Sequence, residues 1–262
     1  MTIARDRAAL VTGGGAGFGL EIARRLVEAG ARVALLDVDG ERLGRAAKQL
    51  GVGVLPLRAD VRSAAEVRDA VERAALELGR LDTLVVSAGV IHIKPLEEVT
   101  ELEWDRTLDV NLKGAFLTAQ AAAPYLRESG RGRIVTIASD AGKRGFAWIQ
   151  AYTASKFGLV GLTESLAVEL APDQVTVNCV CPVGCPTTEM GKGVLAWKVE
   201  TSGRPPDEVA AAAARTNPLG RNATEGDVAA AVLWFVSDEA AFVTGVALDV
   251  DGGAHVGFMP GT

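Results

Sequence analysis

Short apolar runs and helix-length amphipathic stretches take turns along this chain, and few folds accommodate that alternation. Ala8–Thr12, Arg32–Leu36, Val54–Arg58 and Leu81–Val86 read as strands. Between them, the stretch through Ala29, then Glu41 to Leu50, then Ser63 to Leu78 read as helices, the last with Glu66 placed for a capping box on Ser63. A long helical stretch follows from about Glu101 to Ser129, then strands at Arg133–Ala138, Val175–Cys181 and Ala247–Val250, with a helix over Thr224–Ser237 before the last. Strands alternating with helices at this spacing predict an α/β fold: a Rossmann-like, doubly wound parallel sheet of about seven strands with helices on both faces. A length of 262 residues suits one large domain. No repeat, low-complexity tract or linker interrupts the chain, so residues 1–262 read as a single domain.

Ligands of such sheets sit at the carboxyl ends of the strands, which directs attention to the residues just past each strand. After the first comes Gly13-Gly14-Gly15-Ala16-Gly17-Phe18-Gly19, opening a helix. Glycines there allow a tight turn and let a pyrophosphate approach free N–H groups at the helix start. The second strand ends in Asp37, about 20 residues past the glycines, where a carboxylate accepts hydrogen bonds from ribose hydroxyls and repels a 2′-phosphate. Asp37 therefore favours NAD over NADP, with Asp39 close enough to complicate the assignment. Asp60-Val61 follows the third strand, Ser87-Ala88-Gly89 the fourth and Ser139 the fifth.

Tyr152 and Lys156 lie four residues apart, just before the apolar-periodic run Phe157–Leu170. On a helix that spacing puts the phenol and the ammonium on one face. A free phenol titrates near pH 10, and bringing it close to neutrality needs roughly 4 kcal/mol. A neighbouring cation and a bound cationic ring favour the phenolate and act in that direction. Asn111, mid-helix beside Gly114 in Val110-Asn111-Leu112-Lys113-Gly114, is either a kink or a polar group turned into a site.

These pieces together resemble the short-chain dehydrogenase/reductase family over nearly the whole chain. The resemblance rests on Thr12-Gly13-x-x-x-Gly17-x-Gly19, Asp60, Ala88-Gly89, Asn111, Ser139, Tyr152-x-x-x-Lys156, Pro182 with Gly184, and Asp251-Gly252-Gly253. It implies that Tyr152 is the general acid/base, that Lys156 lowers its pKa and holds the nicotinamide ribose, and that Ser139 steadies the substrate oxygen. Asn111 would hold a water that relays protons. It further implies a cofactor along Gly13, Gly15, Ala16, Gly17, Phe18 and Gly19, then Asp37, Val38, Asp60 and Val61. Ser87, Ala88, Gly89, Tyr152, Lys156, Pro182, Val183, Gly184 and Thr187 would complete that surface, with Thr188 as the alternative to Thr187. Two departures stand out: Ser87 where the family commonly has Asn, and Pro182-Val183-Gly184 where Pro-Gly is usual.

The implied activity is NAD-dependent interconversion of a secondary alcohol and a ketone by hydride transfer. The alternatives are an NAD(P)H-dependent carbonyl or 3-oxoacyl-thioester reductase, and a nucleotide-sensing protein without turnover. Substrate contacts are expected from Ser139, Tyr152, Ala147, Trp148 and Trp197. Residues from about 187 to 221 are the least regular stretch, with an alanine-rich helix around Val209 to Arg215, and the resemblance makes this stretch a mobile flap over the substrate. Met190 and Leu195 are candidates for an apolar pocket there. Lys192, Lys198 and Arg204, like Lys143 and Arg144 nearer Tyr152, are either anion contacts or solvated charges.

A net charge of −6 argues against nucleic acid or an anionic membrane as partner. No export signal or membrane span is read, and three clustered cysteines, Cys179, Cys181 and Cys185, fit reduced thiols in a cytoplasmic protein. Without a nearby histidine they read as buried thiols and not as a metal site. His92 and His255 read as loop and tail residues, with His92 close enough to the cleft for a substrate contact. The apolar tail Gly257-Phe258-Met259-Pro260 suggests packing against a second subunit, in line with the family's usual homotetramer.

Overall fold

The computed structural model describes residues 6–257, so the tail from Phe258 onward lies outside the described residues. Seven parallel strands form one sheet in the order β3-β2-β1-β4-β5-β6-β7. They are β1 (Ala8–Thr12), β2 (Arg32–Asp37), β3 (Leu55–Arg58), β4 (Thr83–Val86), β5 (Arg133–Ile137), β6 (Thr176–Pro182) and β7 (Ala247–Val250). The order runs outward in opposite directions from β1 and β4, leaving a crevice at their carboxyl ends.

Alternation within the strands supplies a core on each face. In β1, Ala8 and Leu10 face α3 (Ala64–Glu77), α5 (Gly114–Glu128) and α6 (Gln150–Leu170). Ala9 and Val11 face α1 (Gly17–Glu28), α2 (Gly40–Leu50) and α9 (Glu225–Val236). In β6, Val177, Cys179 and Cys181 share one face and Val180 takes the other, as the alternation predicts.

Local chemistry explains the helix starts. Asp39 caps α2 through the N–H groups of Glu41 and Arg42, so of the two aspartates past β2 it is spent on the helix. Thr224 and Asp227 form a reciprocal capping box on α9. The box expected on α3 is only half made: Ser63 accepts from the Glu66 N–H, but the Glu66 carboxylate takes the Asp60 N–H at 3.0 Å instead.

Two expectations are corrected. The single helix over 101–129 is α4 (Glu101–Leu108), a π turn (Asp109–Lys113) and α5. The stretch over 187–221 is mostly helical: α7 (Glu189–Ser202), capped by Thr188, and α8 (Pro206–Arg215), with proline in its first turn. No residue of α7 and only Val209 of α8 is buried. The alanine-rich helix expected over 209–215 is thus α8, three residues longer at its start, while α7, without a core-facing stripe, lacks the apolar period by which the others are recognised.

At the amino ends of the strands, the buried Asp82 carboxylate accepts from the Ala8 N–H (3.1 Å), the Thr83 hydroxyl (3.0 Å), Arg80 (3.0 Å) and Arg131 (3.0 Å). Arg7, also buried, reaches the Arg131 carbonyl and Asp238, both at 2.7 Å.

Candidate active site

A cleft of about 520 Å3 opens where the sheet order reverses. Gly13, Ala16, Gly17 and Phe18 form its floor, Asp37 and Val38 one wall, Asp60 and Val61 the next, and Ser87, Ala88 and Gly89 the far side. Gly13 (φ +65°) presses on the end of β4, where a Cβ would come within 2.9 Å of the Ala88 backbone. The Thr12 hydroxyl, just before it, takes the N–H groups of Ser87 (3.1 Å) and Ala88 (3.2 Å), so the fourth strand's end is pinned without an asparagine at position 87. Gly17 (φ +53°) turns the chain into α1 with only Thr188 beyond it. The loop thus lets a ligand backbone come close and points the start of a helix at it, which suits a pyrophosphate. Gly15 and Gly19 lie beneath this surface: Gly15 donates its N–H to Asp37 Oδ2 at 3.1 Å, and Gly19 is packed under Gly13.

The Asp37 carboxylate is held by that bond and by the Asp39 N–H on Oδ1 (3.1 Å). Arg42, not anticipated from sequence, lines the same wall but is paired with Asp39 at 3.6 Å and with Glu189 on α7 at 3.0 Å. Asp60 is held by Arg62 through bonds of 2.6–3.0 Å, which keep its carboxyl below the usual carboxylate range.

Deeper lie the titratable side chains. Tyr152 and Lys156 sit on the first turns of α6, both buried, with Lys156 Nζ 5.5 Å from the Tyr152 ring centroid. The ammonium sits over the ring and donates to the Ile137 carbonyl at 2.7 Å. Burial pushes the phenol up to about 12, against a smaller opposing pull from the Ser139 hydroxyl. Burial also brings the ammonium down to about 8. Ser139, at the end of β5, donates to Asp140 at 2.9 Å and accepts from the Ala141 N–H at 3.1 Å.

Asn111 is buried in the π turn, and π turns recur at functional sites because they redirect side chains out of helical register. Its amide accepts from the Val90 N–H (2.8 Å) and donates to the Val90 carbonyl (2.9 Å) and Ser155 Oγ (3.0 Å). Both amide hydrogens are spent, so Asn111 positions the loop after β4, and a relay water would be held only through its oxygens. Gly89 lies between Asn111 and Lys156, where a Cβ would be 3.5 Å from Asn111 Oδ1 and 3.8 Å from Lys156 Nζ. Ser155, the third corner, has no sequence signal of its own.

The loop after β6 separates the two candidate threonines. Thr187 is turned away, donating to Glu225 at 2.7 Å, whereas Thr188 lines the cleft. The hydroxyl of Thr188 donates to the Cys185 carbonyl (3.0 Å) and accepts from the Gly191 N–H (2.9 Å). Pro182 and Val183 are buried at the strand end, with the Val183 N–H given to the Val250 carbonyl at 3.3 Å, and Gly184 is exposed. Ala147 and Trp148 are exposed, and Trp148 meets Trp197 edge-on with ring centroids 5.3 Å apart. His92 is half-buried against the Thr107 hydroxyl at 3.0 Å. Cys179 and Cys181 are buried free thiols 3.9 Å apart. Among the described residues no three metal-ligating side chains converge, and no helix is long and apolar enough to cross a membrane.

A sheet of this order, with a glycine turn opening onto its switch point, is the architecture of nicotinamide-dependent oxidoreductases. Residues 13–255 match the family model described as enoyl-(acyl carrier protein) reductase. Over 246 residues the chain is 39% identical to 2-(S)-hydroxypropyl-CoM dehydrogenase 3 of Xanthobacter autotrophicus, covering 93% of this chain and 94% of that one. The 3-ketoacyl-(acyl-carrier-protein) reductase of Brucella melitensis, solved with NADH, superposes with a TM-score of 0.86 at 32% identity, covering 96% of this chain and 99% of the other. A variant of actinorhodin polyketide ketoreductase, solved with NADPH, gives 0.90 at 36% identity, covering 95% and 97%. The chain belongs to the short-chain dehydrogenase/reductase family. Within it, the protein is an oxidoreductase that interconverts a secondary alcohol and a ketone.

Proposed function

We propose that the protein is an NAD-dependent secondary-alcohol dehydrogenase with Tyr152 as its general acid/base. The observation that carries the cofactor preference is Asp37. Its carboxylate stands on the cleft wall at the tip of β2, anchored by two backbone N–H groups and free to accept from ribose hydroxyls. A 2′-phosphate would meet that charge, and Arg42 on the same wall is already paired with Asp39 and Glu189.

NAD, when bound, supplies the hydride acceptor, and the chain's own residues do the rest. The Gly13–Gly19 turn, Asp60 and Val61, and the Ser87–Gly89 turn hold and orient the dinucleotide, with Thr188, and not Thr187, as the loop threonine. Ser139 turns its O–H from Asp140 and donates it to the substrate oxygen, steadying the alkoxide-like charge as it develops. Tyr152 removes the hydroxyl proton. A phenol near 12 is a poor base, so lowering it falls to the cation of Lys156, released from the Ile137 carbonyl, together with the positive ring of the oxidised cofactor. Asn111 keeps Gly89 and Val90 in place beneath that pair. The protein is further proposed to work as a cytoplasmic homotetramer, for which sedimentation analysis is the check.

Fluorescence titration with NADH and NADPH at one salt concentration tests the cofactor reading. NADH is expected to bind at least roughly tenfold tighter, the ratio of one lost charge-assisted contact, and Asp37→Ser to narrow the gap. The reverse preference would overturn Asp37 as selector and make the carbonyl reductase the better reading. Tyr152→Phe is expected to bind NADH normally and to lose turnover.

A further inference from the structure

Trp148 has φ +68°. The other non-glycine residues with positive φ among the described ones, Asp6 and Gln174, are polar turn residues of the kind that tolerate it. A bulky aromatic gains nothing locally from a left-handed backbone, so neighbouring contacts must hold it there. Two are present. The Trp148 carbonyl accepts the Lys94 N–H at 2.8 Å, and its ring meets Trp197 edge-to-face, 64° between planes.

The pair joins two walls. Trp148 lies four residues ahead of Tyr152, on the segment leading from Ser139 into α6, and Trp197 lies on α7, whose first residues border the cofactor cleft. Although α7 carries Val194, Leu195 and Trp197, it buries no residue, so its apolar side lacks a full covering. Both rings remain partly exposed. The cations on the opposite wall are committed: Lys94 to Glu103 (2.6 Å), Lys143 to Asp249 (2.8 Å), and Arg144 to Asp140 (3.4 Å) and the Ala254 carbonyl (3.1 Å). This side offers a substrate one continuous edge-to-face indole surface, with Lys192 and Lys198 of α7 exposed to solvent and the cations of the Trp148 wall already paired.

We propose that Trp148 and Trp197 are the specificity-determining pair. As one touching surface they hold the flat apolar side of a cyclic secondary alcohol or ketone, alicyclic or aryl-bearing, whose carbinol carbon lies toward Tyr152. Small acyclic alcohols, which cannot span the two rings, are selected against. The proposal rests on the dehydrogenase reading above and adds the substrate class.

The test compares cyclohexanol and 1-indanol with 2-butanol as substrates under NAD, for the wild type, Trp148→Ala and Trp197→Ala. Far-ultraviolet circular dichroism, where paired indoles give an exciton couplet, supplies a readout independent of turnover. The couplet is expected in the wild type, to change when cyclohexanone joins the NADH complex, and to vanish in either variant. The preference for cyclic alcohols in kcat/KM is expected to fall roughly tenfold in each variant, the scale of discrimination an apolar contact provides, with NADH affinity unchanged. Trp197 sits on an exposed helix, so its variant tests the pairing even if Trp148→Ala folds poorly. An unchanged cyclic-to-acyclic ratio in Trp197→Ala, or equal turnover of both classes by the wild type, would overturn the proposal. Failure to bind NADH would instead defeat the dehydrogenase reading. If NADH binds and no alcohol is turned over, a couplet that ignores cyclohexanone overturns the proposal, and one that responds sustains it.

Discussion

Lys156 is a buried ammonium whose hydrogen bond goes to a neutral carbonyl, an arrangement costly to the fold. Its pKa falls from an ordinary 10.5 to about 8, so between those values the unfolded chain holds more protons than the folded one. Stability therefore rises with pH through that window, by about 3 kcal/mol in all from this group. Tyr152 opposes it only above its ordinary value of 10, where the folded protein retains a proton that the unfolded chain releases. Urea denaturation from about pH 7 to pH 10 is expected to show the wild type gaining on Lys156→Met as pH rises. A stability difference independent of pH would mean that the ammonium is not desolvated. Trp148 holds its cost in the backbone instead. Replacement by glycine, which adopts φ +68° freely, is expected to leave a protein about 1 kcal/mol more stable than replacement by alanine. Both truncations lose the same ring contact, so the difference in thermal midpoint isolates the strain.

The π turn shows how an element serves the site. By shifting register between α4 and α5 it turns Asn111 inward, where one amide bridges the loop after β4 and the helix carrying Tyr152 and Lys156. Asn111→Leu leaves the Val90 N–H and carbonyl and the Ser155 hydroxyl without their partner, at a cost of about 2–4 kcal/mol. NADH affinity is expected to fall with stability, because Gly89 and Val90 border the cofactor cleft; unchanged affinity would show that the loop holds its shape unaided. Elements were legible in the sequence where they bury a periodic face. β1 and β7 match their expected bounds and α9 differs by a residue at each end; α8 was legible as an alanine-rich helix over 209–215 and begins at Pro206, whereas α7 lies on the surface with only Thr188 to mark its start. The positions of the cleft-lining candidates at strand ends, among them Gly13, Asp37, Asp60, Ser87 and Gly89, were equally legible, because the sheet alone decides where they go. The choice between Thr187 and Thr188, the pairing of Asn111 with Ser155, and that of Arg42 with Glu189 were not. Each depends on a loop rotation or a contact between distant segments that leaves no local pattern.

Across the whole molecule the charges divide the sheet into two ends with different tasks. The carboxyl ends keep an open cleft and an under-compensated ammonium, while the amino ends are locked by Asp82, which gathers β1, Arg80 and Arg131 around one buried carboxylate. Arg80 and Arg131 are partly exposed and can turn to water if that charge is lost, but Arg7 is only 2% exposed and lies 4.0 Å from it. Burial already pulls the Arg7 guanidinium below its usual range, and its other carboxylate, Asp238, is largely solvated. Removing the Asp82 charge would therefore strand a desolvated cation. Asp82→Asn is expected to cost about 3–5 kcal/mol, whereas Arg7→Met, which removes the cation as well as its bonds, should cost distinctly less. Both changes lie at the opposite end of the strands from Tyr152, so the affinity for NADH should hold for whatever fraction remains folded. Urea midpoints for the two variants decide the matter. Equal losses would mean that Arg7 and Asp82 act as a simple pair, and a smaller loss for Asp82→Asn would mean that the arginines, not the aspartate, close this end of the sheet.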